Sequence, residues 1–129
     1  MPDDTRDAGR PSLTGAPSPT ESGFFGRMND PCGSAHVRGA CGDEMEVYLS
    51  IRDGVITEAK YYTEGCEDTH RYGHAVASAA QGRPLPDALT ISPRQIMDAD
   101  PLLTEGSRHC AILAVITFYR AVADYLVQP

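Results

Sequence analysis

Five side chains with metal-binding chemistry lie in three short stretches of this 129-residue sequence. Cys41 and Asp43 stand one glycine apart in GACGDEM, Cys66 follows a glycine in EGCED, and His109 precedes Cys110 in SRHC. Thiolates are soft ligands that suit zinc, ferrous iron and iron–sulfur clusters, whereas a carboxylate is harder and binds such ions less tightly. A site that combines them would hold its metal loosely. The residues alone leave a second interpretation open, in which the cysteines are buried simply as small apolar groups.

An alternation of apolar and polar residues after Asp43 predicts a β-strand with one buried face. The buried positions are Met45, Val47, Leu49 and Ile51. A tight-turn signal at Asp53-Gly54 follows, and a second strand is predicted after it, with inner residues Val55, Ala59 and Tyr61. The two strands form an antiparallel hairpin, to which the segment SAHVRG adds a third strand. Because the two ends of a hairpin lie side by side, we expect Asp43 and Cys66 to come close together.

The second half of the chain predicts helices. We expect an alanine-rich helix over residues 69–81 and short helices over 85–89 and 93–99, the last capped by Ser92. A long helix begins beside Cys110, and its N-terminus is expected to favour the thiolate form of that cysteine. Its spacing predicts one buried face, made of Ile112, Val115, Ile116, Tyr119, Val122, Ala123 and Leu126. Strands followed by helices predict an α+β fold: a small antiparallel three-stranded sheet with helices packed on one face and a long C-terminal helix.

The composition argues against several classes of protein. Asp and Glu number 18 against 11 Lys and Arg, giving a net charge of −7 at pH 7, which is unfavourable for binding nucleic acid. No apolar run approaches the ~20 residues of a membrane span. The N-terminus has no apolar export segment, and its acidic residues are atypical of a mitochondrial address. We therefore expect no nucleic acid, no membrane and a cytoplasmic location, where cysteines are more often metal-binding or reactive than disulfide-bonded.

Residues 1–23 are predicted to be a disordered N-terminal tail. The stretch consists mostly of Pro, Gly, Ser, Thr and Asp, and it contains too little apolar surface to offset the entropy of ordering it. We expect ordered structure to begin near Phe24 and Phe25, which would anchor the chain. Residues 24–129 are then expected to form a single domain.

Four stretches of the sequence resemble the IscU/NifU-type iron–sulfur cluster assembly scaffold family, which is NifU N-terminal domain-like. They are ACGDEMEVYLSI, ITEAKYYTEGC, GRPLPDALTIS and HCAILAV…AVADYL. With their order and spacing, the resemblance covers roughly residues 28–127, nearly the whole expected domain. The joint presence of a CGD element, a GC at the end of a strand and an HC at the start of a helix makes the resemblance specific.

This resemblance implies a scaffold, not an enzyme, that assembles a labile [2Fe-2S] cluster and passes it to apo-proteins. Carried over by position, the cluster ligands are Cys41, Cys66 and Cys110, while Asp43 and His109 are exchangeable or auxiliary metal ligands. The implied partners are a cysteine desulfurase, which donates sulfur, and apo iron–sulfur proteins, which accept the cluster. Since a scaffold must release its cluster, the resemblance explains a carboxylate in place of a fourth thiolate.

The sequence departs from the family before its HC element. A Pro-Pro-Val-Lys-like motif, which an Hsp70-type chaperone reads, is replaced here by DPLLTEGSR, so the resemblance does not extend to chaperone-assisted release. The interval from Cys66 to Cys110 also lacks the insertion of the zinc-bearing SufU-type branch. That favours a cluster scaffold over the alternative function, a zinc-dependent acceptor of persulfide sulfur. Zinc can still occupy the purified protein, because such sites take it up when they hold no cluster.

Four further candidate residues are interpreted as bystanders. His70 and His74 follow Cys66 by four and eight positions, along one helix face. We interpret them as solvent-facing or core-edge histidines rather than as extra ligands. Cys32 lies outside the family pattern, and His36 is interpreted as a surface residue.

Overall fold

Residues 23–128 are described by the computed structural model of this protein, so the predicted tail lies outside the described residues apart from Gly23. Three antiparallel strands, β1 (Gly33–Arg38), β2 (Glu44–Arg52) and β3 (Val55–Tyr62), form one sheet in the order β1-β2-β3. This confirms both the predicted hairpin and the third strand.

Four helices follow the strands. They are α1 (Glu67–Ala80), α2 (Leu85–Ala88), α3 (Pro93–Asp98) and α4 (Arg108–Leu126), and a 3-10 turn, Glu105–Ser107, leads directly into α4. Ser92 caps α3 as predicted, since its hydroxyl accepts from the amide of Gln95 in a capping box. Helices α1 and α4 contact each other and the sheet. The α+β class, with a long C-terminal helix, is therefore confirmed.

The hairpin contains a bulge that the sequence pattern did not predict. Strand β2 buries Met45, Val47, Leu49 and Ile51 as expected. On β3, however, Ser50 pairs with Glu58 while Ile51 pairs with Ile56, which leaves Thr57 as an extra residue. The extra residue shifts the alternation by one position. The inner residues of β3 are consequently Ile56, Ala59 and Tyr61, and the predicted inward position of Val55 is wrong.

The buried face of α4 also differs from the prediction. Ile112, Ile116, Ala123 and Leu126 are predicted to be inside, but Ala123 is exposed and the other three are 41%, 38% and 59% exposed. The buried residues are instead Cys110, Ala111, Leu113, Ala114, Val115, Thr117, Phe118, Ala121 and Val122.

Close packing of α4 on the sheet explains this choice of face. A Cβ added to Gly33 on β1 would lie 2.3 Å from the carbonyl oxygen of Ala121, so the helix backbone nearly touches the strand. Such an approach admits the alanine-rich side of the helix and excludes the isoleucine side. Because α4 is apolar on most of its circumference, spacing alone could not separate the two faces.

The apolar character of α4 also corrects the expectation that no segment resembles a membrane span. The helical run Glu105–Leu126 contains an 18-residue window that is long and apolar enough to cross a membrane. Half of that window is buried inside the domain. A core helix satisfies the same criteria, and packing on β1, β2 and α1 accounts for the composition of this one.

The N-terminal segment anchors to the sheet where it was expected to. The amide of Tyr61 donates to the carbonyl of Phe24, and the amide of Gly26 donates to the carbonyl of Tyr61, both at 2.8 Å. On the other side of Tyr61 lies α1, so close that a Cβ at Gly73 would stand 2.5 Å from the ring. This contact sets the position of the helix that begins just after Cys66.

Candidate metal centre

The loop between β1 and β2 presents Cys41 and Asp43 at one edge of the sheet. It is a tight turn, closed by the amide of Gly39 donating to the carbonyl of Asp43 at 2.8 Å. Gly42 lies in the left-handed region with φ 95°, a conformation that favours glycine. The turn leaves the Cys41 thiol exposed and the Asp43 side chain half-buried.

The other end of the hairpin brings Cys66 to the same edge. The buried hydroxyl of Thr63 donates to the carbonyl of Glu44 at 2.6 Å and accepts from the amide of Gly65 at 3.0 Å, which fixes the chain after β3. The amide of Cys66 then donates to Asp43 Oδ2 at 3.3 Å. Asp43 and Cys66 therefore meet as predicted. A glycine is required at position 65, because a Cβ there would lie 2.6 Å from Asp43 Oδ2.

Helix α4 completes the cluster with His109 and Cys110. Cys110 is buried, whereas Cys41 and Cys66 are exposed, and all are free thiols. The possible ligand atoms form two groups, Cys41–His109–Cys110 and Asp43–Cys66–Cys110, and within each group the atoms lie within 4.8 Å of one another. The structure thus brings together all five predicted site residues, and the Cys110 thiol belongs to both groups. Three thiols, one carboxylate and one imidazole make a donor set suited to a soft metal ion.

A sixth residue, Thr69, lies at the centre of this cluster and was missed by the sequence analysis. Its hydroxyl is fully buried and donates to Asp43 Oδ2 at 2.6 Å. The hydroxyl oxygen of Thr69 also lies 3.4 Å from the Cys110 sulfur and 3.5 Å from the Cys66 sulfur. A threonine in the first turn of a helix carries no metal-site signal in the sequence, so only the folded geometry reveals it.

The surroundings shift the pKa of two site residues in opposite directions. The hydrogen bond from Thr69 lowers the pKa of the Asp43 carboxyl, and the amide of Cys66 adds to this against the opposing effect of burial. Burial raises the pKa of the Cys110 thiol to about 11. Cys110 is therefore protonated at neutral pH, and a metal ion must displace its proton.

The predicted preference of Cys110 for the thiolate form is wrong for a structural reason. Cys110 is the third residue of α4, where the helix N-terminus would favour a thiolate, but its side chain is buried and loses the solvation that a charged sulfur needs. Burial then dominates.

Asp100 holds the loop before α4 against α1. Its carboxylate, whose side chain is 7% exposed, accepts a hydrogen bond from Arg71 Nη2 at 3.1 Å and another from the Tyr72 hydroxyl. Its other oxygen accepts from the amide of Leu102 at 2.9 Å. Burial acts to raise the pKa of Asp100, but these hydrogen bonds outweigh it and lower that pKa. The segment DPLLTEGSR is thereby tied to the helix that begins beside Cys66.

The remaining candidates lie outside the cluster. The rings of His70 and His74 pack on Phe25 and Phe24 at centroid distances of 5.2 and 5.3 Å, and burial lowers the pKa of both histidines. Within residues 23–128, no hydrogen-bond partner reaches the buried Nδ1 of His70. These are the core-edge positions expected of bystanders.

Cys32 is also separate from the site, and His36 is not among its ligands, although it lines a surface cleft that Asp43 also borders. Cys32 precedes β1 at the end opposite Cys41, where its amide donates to the carbonyl of Leu49 at 2.8 Å. His36 lies on the surface and its Nε2 is 2.6 Å from the carboxylate of Glu44.

An open cleft of about 390 Å³ reaches the cluster from the outer side of the sheet. Its wall includes Asp43, Gly42 and Gly65, together with Arg27, whose guanidinium lies 3.9 Å above the Tyr62 ring. Asp43 therefore borders space that a second molecule can enter.

Comparison with known proteins finds a matching family model and similar proteins. The family model for the NifU-like N terminal domain matches residues 16–129. The iron-sulfur cluster assembly scaffold protein IscU of Escherichia coli K12 is 31% identical over 110 residues, which cover 84% of this chain and 85% of that protein. IscU 1 of Archaeoglobus fulgidus, an iron-sulfur cluster assembly scaffold protein, is 30% identical over 101 residues, covering 78% of this chain but only 66% of its own length.

Solved structures show the same fold. The N-terminal part of a nitrogen-fixing NifU-like protein from Brucella abortus superposes with a TM-score of 0.63 at 18% identity, covering 87% of this chain and 91% of that one.

Proposed function

Because this chain belongs to the family of NifU-like N-terminal domains, we propose that it is an iron–sulfur cluster assembly scaffold that builds a labile [2Fe-2S] cluster and hands it to apo-proteins. The observation that carries the proposal is the convergence of Cys41, Cys66 and Cys110 from three distant parts of the chain. Relatives that share 30–31% identity are named iron-sulfur cluster assembly scaffold proteins. The cluster is the cargo of such a protein, and no catalytic residue is proposed.

The donor set fits this cargo. A [2Fe-2S] cluster takes four protein ligands, normally thiolates. Cys41, Cys66 and Cys110 supply three of them, so one position is left for either Asp43 or His109. These two residues belong to different groups of neighbouring ligand atoms, and the groups share Cys110. Either residue can therefore complete the site while the three thiolates stay in place.

The three thiols differ in burial, which supports a protein that assembles an iron–sulfur cluster and then releases it. Cys110 is buried in the core and serves as the fixed ligand, while Cys41 and Cys66 are exposed at the surface. A cysteine desulfurase, the proposed sulfur donor, can reach the two exposed thiols. An apo iron–sulfur acceptor can approach the weakest ligand, Asp43, through the open cleft beside it. A hard carboxylate is also the ligand that an incoming thiolate displaces most readily.

Two further features of the proposal follow from the sequence. We do not include an Hsp70-type chaperone among the partners, because the motif it would read is replaced by the segment that Asp100 ties to α1. A cytoplasmic location is retained as a prediction.

Serine substitutions of the four cysteines test the ligand assignment. Cys41→Ser, Cys66→Ser and Cys110→Ser should each strongly lower the visible absorbance obtained on anaerobic reconstitution with iron, sulfide and thiol. Cys32→Ser is the matched control and should reconstitute like the parent protein, because Cys32 lies at the other end of β1. Loss of the chromophore in Cys32→Ser alone would show that the ligand set is wrong.

The same experiment separates the scaffold from the alternative function. If the parent protein develops no chromophore and retains zinc that its cysteine substitutions release, a zinc-dependent acceptor of persulfide sulfur becomes the better account.

A further inference from the structure

Thr69 has a single proton to donate and three acceptors within reach. Its hydroxyl is fully buried, 2.6 Å from Asp43 Oδ2, 3.4 Å from Cys110 Sγ and 3.5 Å from Cys66 Sγ. An O–H group donates to one strong acceptor at a time. The short distance and the charge of the carboxylate assign that proton to Asp43.

The carboxylate oxygen that accepts this hydrogen bond, Asp43 Oδ2, lies against the hydroxyl that also neighbours the sulfur atoms of Cys66 and Cys110. Asp43 Oδ2 accepts from the Thr69 hydroxyl and also from the amide of Cys66 at 3.3 Å. Two donors therefore already occupy the lone pairs of this oxygen. A metal ion that binds through Asp43 Oδ2 must therefore compete with the hydrogen bond from the Thr69 hydroxyl.

We propose that Thr69 is a positioning residue that acts as a latch on Asp43: it holds the carboxylate back from the metal cargo and so makes this ligand exchangeable. The inference rests on the proposed function and deepens it. When Asp43 Oδ2 binds the metal, the bond from Thr69 breaks, and the hydroxyl can turn toward the sulfur of Cys110 without leaving its buried position. When Asp43 Oδ2 dissociates from the metal, the Thr69 hydroxyl donates to it again, and the coordination position stays open.

The direction in which loss of the Thr69 hydroxyl changes metal release distinguishes a latch from a hydrogen bond that only orients the ligand. A hydrogen bond to the oxygen that does not bind the metal orients a ligand, and losing it weakens metal binding by about 10- to 100-fold. A hydrogen bond to the binding oxygen competes with the metal instead. Removing the Thr69 hydroxyl should therefore make metal release slower, by about tenfold, rather than faster.

Co²⁺ is loaded into the purified apo-protein, and its release tests the latch without any iron–sulfur cluster. Co²⁺ bound by thiolates gives a charge-transfer absorbance, and its decay after addition of a chelator measures the release rate. The variants are Thr69→Val, which keeps the shape of the side chain but removes the hydroxyl, and Thr69→Ser, which keeps the hydroxyl. Both are also made in an Asp43→Ala background. Thermal melting checks that each variant is folded, and Thr69→Ala replaces Thr69→Val if the valine variant is not.

The latch predicts a specific set of results. Thr69→Val should release Co²⁺ about tenfold more slowly than the parent, Thr69→Ser should match the parent, and Thr69→Val should have no effect once Asp43 is alanine. Equal or faster release from Thr69→Val in the parent background, or an undiminished effect without Asp43, would overturn the latch. If the parent itself forms no thiolate–cobalt absorbance, the proposed function fails as well, so the two failures can be told apart.

Discussion

Gly65→Ala should disturb the metal site through one contact that the structure defines closely. A Cβ at this position would lie 2.6 Å from Oδ2, 2.8 Å from Cγ and 3.2 Å from Cβ of Asp43. The Asp43 side chain is short and its own Cβ is part of the clash, so rotating the carboxylate does not relieve it. Asp43 must move away as a whole, and it then loses its hydrogen bonds to the Thr69 hydroxyl and the Cys66 amide.

The size of the effect follows from those two bonds. A hydrogen bond to a charged group contributes about 1.5–3 kcal/mol. Water replaces part of that contribution, because Asp43 is only half-buried. Alanine also restricts the unfolded chain, which returns about 0.4–1 kcal/mol. We therefore expect a net loss of about 1–2 kcal/mol in the free energy of unfolding, equivalent to a fall of about 4 °C or more in melting temperature for a domain of this size.

Thermal melting of the apo-protein measures this prediction, and Gly106→Ala is its control. A Cβ at Gly106 meets nothing closer than Thr104 Oγ1 at 3.9 Å, although this glycine also lies beside the site. Neither glycine has a positive φ, so backbone strain does not distinguish them. Gly106→Ala should melt at or slightly above the parent temperature. If Gly65→Ala melts no lower than Gly106→Ala, the described packing of Asp43 against Gly65 is incorrect.

Three further predictions address ligand exchange, acid stability and packing. Asp43→Ala should lengthen the life of the assembled cluster, because the weakest ligand is gone; faster decay of the visible absorbance than in the parent would contradict this. Asp100→Asn should remove stability that the parent has above about pH 4 and loses below it, since a carboxyl with a lowered folded pKa stabilises the fold only while ionised; identical acid-unfolding curves would refute it. Gly33→Ala should cost about 1–3 kcal/mol or more in urea unfolding, because its Cβ would meet the Ala121 carbonyl; an unchanged midpoint would refute that contact.

The sequence predicted those parts of the fold that depend on short-range signals. Strand β2 alternates strictly because one face is buried and the other is not, so Met45 to Ile51 could be assigned from period alone. Ser92 was identified as a cap because its hydroxyl serves the local backbone. The hairpin likewise predicted that Asp43 and Cys66 would meet, since its two ends must lie side by side.

The parts that could not be predicted depend on contacts between distant segments. The bulge at Thr57 shifts the register of β3 without any glycine or proline to mark it. The buried face of α4 is selected by the close approach of Gly33 to Ala121, 88 positions away, and both faces of the helix are apolar. Thr69 and Asp100 acquire their roles only because α1 packs beside the loop that carries Asp100 and beside α4, which carries Cys110.

Transfer of a reconstituted cluster to an acceptor is the most direct test of the account. The purified protein is reconstituted anaerobically with iron, sulfide and thiol, freed of unbound iron, and mixed with an apo-ferredoxin whose own cluster has a distinguishable circular dichroism spectrum. The account predicts a chromophore in the parent protein that moves to the ferredoxin, with transfer slower from Asp43→Ala than from the parent. A parent protein that forms no chromophore, or that keeps its cluster in the presence of the acceptor, would contradict the proposed scaffold.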